Sequence, residues 1–262
     1  MKAGFASVAP AALLTLAAPM TAVSAPPGLP ASPADRSVTH VAVIGMEPVG
    51  WFLCDVLNAP AAVIVGRPGI DGKASIAVLL KGSDAPPVVK MYDVGRPDPG
   101  AGQVHWPLGR GGTVAGDLHA FSPGMYDAAA VTTPPFISLR LATTDYRCRW
   151  LARTRLIAFA GKRSVVVRAG RGGALTYESF DYAANPPIVR PDGVQQTTRA
   201  TVRAEGGIEA GDGKGGTLMR FAGGGRSWTV HLPARGQAFV EARRGNAPPT
   251  REPLIAWTFA PR

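Results

Sequence analysis

A chain of 262 residues, 46% of them hydrophobic, holds enough apolar material for a real core, which excludes disorder as the default. Glycine (32) and proline (25) are abundant, and runs of Ala, Glu, Lys and Leu at helical spacing are absent. That argues against a helical fold and for many short strands joined by tight turns, while the net charge of +10 points to an anionic partner.

Residues 1–24 carry one charge, Lys2, and an apolar stretch from Phe5 to Ala18 that gives way to small residues and proline. This is the layout of a secretory signal peptide. The stretch falls short of the roughly 20 residues needed to span a bilayer, and Pro10 interrupts it. Cleavage is expected after Ser24, with Ala22 and Ser24 as the small pair, because a cut after Ala25 would place Pro26 directly beyond it. The mature chain is therefore expected to be periplasmic or secreted, with no transmembrane span, since no other window holds 18 apolar residues in a row. Residues 25–37 contain four prolines and read as a linker.

From Val38 onward, β-branched and aromatic runs alternate with Gly, Pro, Asn and Asp. Strands are predicted over 38–44, 49–57, 61–65, 75–80, 88–94 and 103–108, with weaker candidates at 118–121 and 128–132. Thr133, Pro134 and Pro135 suggest a boundary. Strands resume over 137–141, 146–151, 153–159, 164–169 and 175–182, and then over 198–204, 217–222, 227–232, 238–243 and 254–259. Residues 183–196 form the longest unpatterned connector. The expected fold is all-β, with many short antiparallel strands in one large or two packed sandwich- or barrel-like units. The division is an N-terminal region over 38–133 and a C-terminal region over 134–262, or one continuous domain.

Cys54 and Cys148 are the only cysteines, both in apolar, strand-like runs. In an oxidising compartment such a pair predicts a disulfide, with two buried thiols as the alternative. The bond would tie the first third of the chain to its most basic segment. Residues 140–171 carry 9 Lys plus Arg against 1 acid, whereas residues 25–139 carry 7 against 9 and residues 172–262 carry 11 against 8.

Within that segment Arg147, Arg149, Arg153 and Arg155 share one parity, and Tyr146, Cys148, Trp150, Thr154 and Leu156 the other. On an unbroken strand the arginines would form one face, which Arg163, Arg168 and Arg171 on the next hairpin could extend. Such a row can meet phosphates or carboxylates bidentately, or it can be a plain solvated face. The expected partner is an anionic envelope component or protein rather than nucleic acid.

Catalytic signals are thin. Asp117, His119, Ser122 and Asp127 in DLHAFSPGMYD form the sharpest candidate set, giving an envelope hydrolase as the alternative, yet no G-x-S-x-G elbow exists. His40, His105, His119 and His231 lack metal-ligand spacing, so neither a metal nor a cofactor is expected. Gly211, Gly213 and Gly216 satisfy G-x-G-x-x-G but lead into a strand-like run, which reads as a hairpin tip.

Overall fold

In a computed structural model the described residues are 36–122, 128–170, 172–183, 188–190, 193–195 and 199–261. The signal-peptide expectation, Asp127 and Arg171 lie outside them. The chain runs through β1 (Val38–Val41), β2 (Val49–Asp55), β3 (Ala61–Gly66), β4 (Lys73–Leu80), β5 (Val88–Val94), β6 (Asp98–Gly100), β7 (Gln103–Arg110) and β8 (Thr113–Phe121). A 3-10 turn (Ala128–Ala130) stands where a weak strand was expected, followed by β9 (Phe136–Leu141) and β10 (Thr144–Arg147). The remaining strands are β11 (Thr154–Phe159), β12 (Arg163–Ala169), β13 (Leu175–Asp181), β14 (Ile188–Arg190), β15 (Gly193–Gln195), β16 (Val202–Gly211), β17 (Thr217–Gly223), β18 (Arg226–Leu232), β19 (Phe239–Arg244), β20 (Thr250–Pro253) and β21 (Ala256–Phe259). No helix among the described residues is long and apolar enough to cross a membrane.

All ladders are antiparallel, and the fold is all-β. A 19-stranded sheet contains every strand except the hairpin β14–β15, which lies in the expected connector. From β2 the strands pair in succession through β3, β4, β5, β7, β8, β9 and β10, with β6 added on β7. From β11 they pair through β12, β13, β16, β17, β18, β19 and β20. The two runs join where β21 lies between β1 and β11, and β1 lies on β2.

Three large side-chain clusters, and a small one around Phe121 and Val131, fill this arrangement. One gathers the N-terminal strands around Phe52, Ile76, Leu118 and Leu139, and a second gathers the C-terminal strands around Leu156, Tyr177, Met219 and Val230. The third joins Leu53, Ile64 and Leu79 to Ile157, Val166 and Ala256. Strands β3 and β11 are consequently buried at every position. Val63 and Val65 enter the N-terminal cluster while Ala62 and Ile64 face the shared one, and β11 divides Leu156 and Ala158 from Ile157 and Phe159 in the same way. Continuous apolar runs, rather than alternation, are what two buried faces require.

Cys54 and Cys148 form a disulfide with Cα atoms 4.9 Å apart. An isolated bridge pairs Val56 with Cys148, and the Arg149 amide donates to the Asp55 carbonyl. The expectation of one strand continuing through residue 151 is corrected. Strand β10 stops at Arg147, and the chain turns through Arg153, whose φ of 60° is left-handed, before β11 begins.

A buried ionic group lies beside the disulfide. The Asp55 carboxylate, fully buried, accepts from Arg149 Nε at 2.6 Å, from Ser164 Oγ at 2.5 Å and from Lys81 Nζ. The Arg149 guanidinium covers the Phe180 ring, 3.5 Å from its centroid. Burial opposes the charge on Asp55, yet the Lys81 and Arg149 cations with their hydrogen bonds, and that of Ser164, outweigh it and hold the carboxyl below its ordinary range.

Candidate functional site: a cationic cleft in the C-terminal half

The β11–β12 hairpin turns through Ala160, Gly161 and Lys162, with Gly161 at φ 75°, a conformation that glycine adopts without a steric penalty. This tight turn leaves Lys162 exposed and sets Arg163 at the start of β12. Facing it is β20, whose Glu252 puts Oε2 3.1 Å from Arg163 Nε. Together with Tyr177 of β13 and Trp228 of β18 they line a cleft of about 470 Å³.

Its floor is strained electrostatically. Glu252 Oε1 and Arg163 Nε are buried without a hydrogen bond, so the Arg163 Nε–Glu252 Oε2 contact is an ion pair of imperfect geometry. Arg163 Nη2 also lies 3.9 Å from Asp181 Oδ2. Burial pushes the Glu252 carboxyl above its usual range, and Arg163 and Lys162 offset this only in part. Burial likewise pushes the Tyr177 hydroxyl up, and its ring stacks on Trp228 with centroids 5.7 Å apart.

The rim is cationic. Arg251 on β20 pairs with Glu241 at 2.9 Å and sits 5.1 Å over the Phe239 ring. Trp228 stands opposite Ala242 across β18–β19, and both line the cleft. Two residues further along the same strands, Arg226 stands opposite Arg244, so alternation puts both on the cleft's face of the sheet. Both are exposed, and among the described residues no carboxylate pairs with them or with Lys162. The other acid on the wall is the exposed Asp84. Lys162 and Arg163 line the cleft, and Arg226 and Arg244 lie on the same face of the sheet two residues beyond its lining, a set of cations suited to holding an anionic group.

Of the five arginines singled out from the sequence, only Arg163 lies in this cleft. The expected row of Arg147, Arg149, Arg153 and Arg155 does not form, because the strand breaks between them. Arg147 is exposed, and its backbone amide donates to Asn58 Oδ1. Arg149 is buried against Asp55. Arg153 is half-buried in the turn, where its amide donates to the Ala130 carbonyl. Arg155 is buried and donates through Nη2 to both carboxylate oxygens of Glu209, at 3.0 and 2.9 Å. Of the other residues that would have extended the row, Arg168 pairs with Glu178 at 3.0 Å. Sequence reasoning missed Arg226 and Arg244. The signal available was their place at facing ends of two predicted strands joined by one turn.

The polar residues around His119 arrange differently from a relay. His119 Nδ1 lies 3.2 Å from Ser138 Oγ and Nε2 2.8 Å from Gln103 Oε1, while its ring stacks on His105. Asp117 is taken by Arg140 at 2.7 Å and lies 3.5 Å from His105 Nδ1. The Ser122 amide donates to the Gly102 carbonyl. Among the described residues no group of three or more His, Cys, Asp or Glu side chains is placed to hold a metal ion. Comparison with protein-family models, curated proteins and solved structures finds no match for this chain.

Proposed function

We propose that the chain is an exported binding protein that holds an anionic partner of the cell envelope in the cationic cleft. One observation carries this reading: Arg226 and Arg244 stand directly opposite each other on the cleft's face with no acid beside them. Like charges in facing positions destabilise a sheet. A fold gains nothing from that pair, whereas a phosphate or carboxylate seated between them would. Export is supported by the layout of residues 1–24 and by the Cys54–Cys148 disulfide. The same reading takes the two runs of strands as packed barrel-like units, which their separate cores and the Val56–Cys148 bridge favour.

The test is retention on a phosphate resin across a salt gradient. Wild type is expected to be retained at low salt and released as salt screens the attraction. Replacing Arg226 and Arg244 together with Ser should weaken binding roughly five- to thirtyfold, because two modest charge interactions with the phosphate disappear together. Arg147→Ser, outside the cleft, should change nothing. Wild type that flows through at low salt, or a double variant retained like wild type, overturns the proposal.

A further inference from the structure

The cations on this face of the sheet form two groups at different levels along the strands. Arg163 is placed by Glu252, 3.1 Å away, and Glu252 stands opposite Val240 on β19. Lys162, next to it in the turn, is close enough to help lower the Glu252 carboxyl. Arg244 lies four residues (244 minus 240) further along β19, and Arg226 faces it across the ladder. At about 3.4 Å of rise per residue, four steps put the two groups roughly 13 Å apart along the sheet. Between them the wall is Trp228, Ala242 and Thr250, which carry no charge. Glu252 and Asp84, the acids of the lining, both stand at the Lys162 end, where the Gly82 amide donates to the Gly161 carbonyl.

We propose that the cleft binds an acidic oligosaccharide in which a neutral sugar separates two anionic ones, with one anion at Arg226 and Arg244 and the other at Lys162. The inference rests on the anion-binding reading and adds a second contact and the spacing between the two. A single phosphate seated between Arg226 and Arg244 leaves Lys162, exposed and without an acidic partner, with no counter-charge. A densely charged chain such as polyphosphate would lay further anions over the uncharged wall and against Glu252 and Asp84. Widely spaced anions meet both groups of cations, and the neutral sugar between them rests on Trp228, Ala242 and Thr250. The cleft volume of about 470 Å³ falls in the range of about 300–1,000 Å³ in which small-molecule sites lie.

The experiment is calorimetric titration of the full chain at low salt with hyaluronan tetrasaccharide, whose two carboxylates flank a neutral sugar. Hyaluronan disaccharide, with one carboxylate, and uncharged chitotetraose are titrated alongside. Once the first carboxylate is bound the second contact is intramolecular, so the tetrasaccharide is expected to bind at least about tenfold tighter than the disaccharide. Lys162→Ser should bring the tetrasaccharide down to the level of the disaccharide, and Arg226→Ser with Arg244→Ser should do the same from the other end. All three positions are exposed, so the core is untouched, and either variant tests the spacing without the other. A tetrasaccharide no tighter than the disaccharide overturns the proposal, even where retention on phosphate resin persists and the anion-binding reading stands. A preference for the tetrasaccharide that survives in both variants overturns it too, because the second contact then lies elsewhere. Chitotetraose binding as tightly as the hyaluronan tetrasaccharide overturns both readings.

Discussion

Replacing Asp55 with Asn removes the charge that balances two buried cations while keeping the size of the side chain. Asp55 is fully buried, and the Lys81 and Arg149 side chains are 3% and 6% exposed, so neither cation reaches water when its partner is lost. An asparagine can still accept one hydrogen bond, but Lys81 and Arg149 then face each other uncompensated beside the middle core. Removing one member of a buried pair typically costs about 3–5 kcal/mol, a large share of the roughly 5–15 kcal/mol that separates folded from unfolded protein. Equilibrium urea unfolding followed by tryptophan fluorescence at pH 7, with the disulfide intact, reads the loss directly. Replacing Asp55, Lys81 and Arg149 together with Leu, Met and Met should recover most of it, since the desolvation cost of all three charges goes too. Asp55→Asn costing less than about 1 kcal/mol, or the triple variant proving worse than the single, refutes the reasoning. The pH dependence has a definite sign. The carboxyl is held low in the folded state, so its stabilisation is complete above the unfolded value near 4 and is lost as pH falls through the lower folded value.

Cys54→Ala with Cys148→Ala, or reduction of the wild type, releases a loop with a sequence separation of 94 and should cost about 4–5 kcal/mol, seen as a lower urea midpoint; an unchanged midpoint refutes it. Gly116 has φ 154°, and an added Cβ would lie 1.9 Å from the Arg140 carbonyl oxygen. Gly116→Ala should therefore cost at least about 2 kcal/mol in thermal unfolding, and a melt like wild type would show that β8 and β9 can part without penalty. The His119 imidazole should titrate below the usual 6.5, because burial and then the neighbouring His105 disfavour its charge. The folded state favours the neutral ring, so its contribution is complete above 6.5 and declines as pH drops. A ring-proton NMR titration at or above 6.5 refutes this.

Strand positions were largely legible, because β-branched runs bounded by Gly and Pro have a local cause. The predicted strands over 88–94, 137–141, 164–169, 217–222 and 227–232 lie within a residue of β5, β9, β12, β17 and β18 at either end. The disulfide was legible too, from two cysteines in apolar runs. What failed was parity carried across a break. Alternation holds only while a strand continues, and nothing local fixes Arg153 in its left-handed turn; Leu151 on the arginine side was the one discordant mark. Arg149 and Arg155 read as exposed because their partners, Asp55 and Glu209, are 94 and 54 residues away in sequence. Arg163 was found for its charge, but the cleft around it is made by strands from four parts of the chain, a relation that no window of sequence contains.

The position of β21 has a consequence for how the molecule is made. It is the last strand in chain order among the described residues, yet it lies in the middle of the sheet, between β1 and β11. A polypeptide that emerges from its N-terminus can form hairpins as it grows, but the seam between its early and late portions stays unsealed until residues 256–259 arrive. Pairing roughly 200 residues apart is slow to nucleate. The nascent chain therefore keeps this seam open until its last strands have been made.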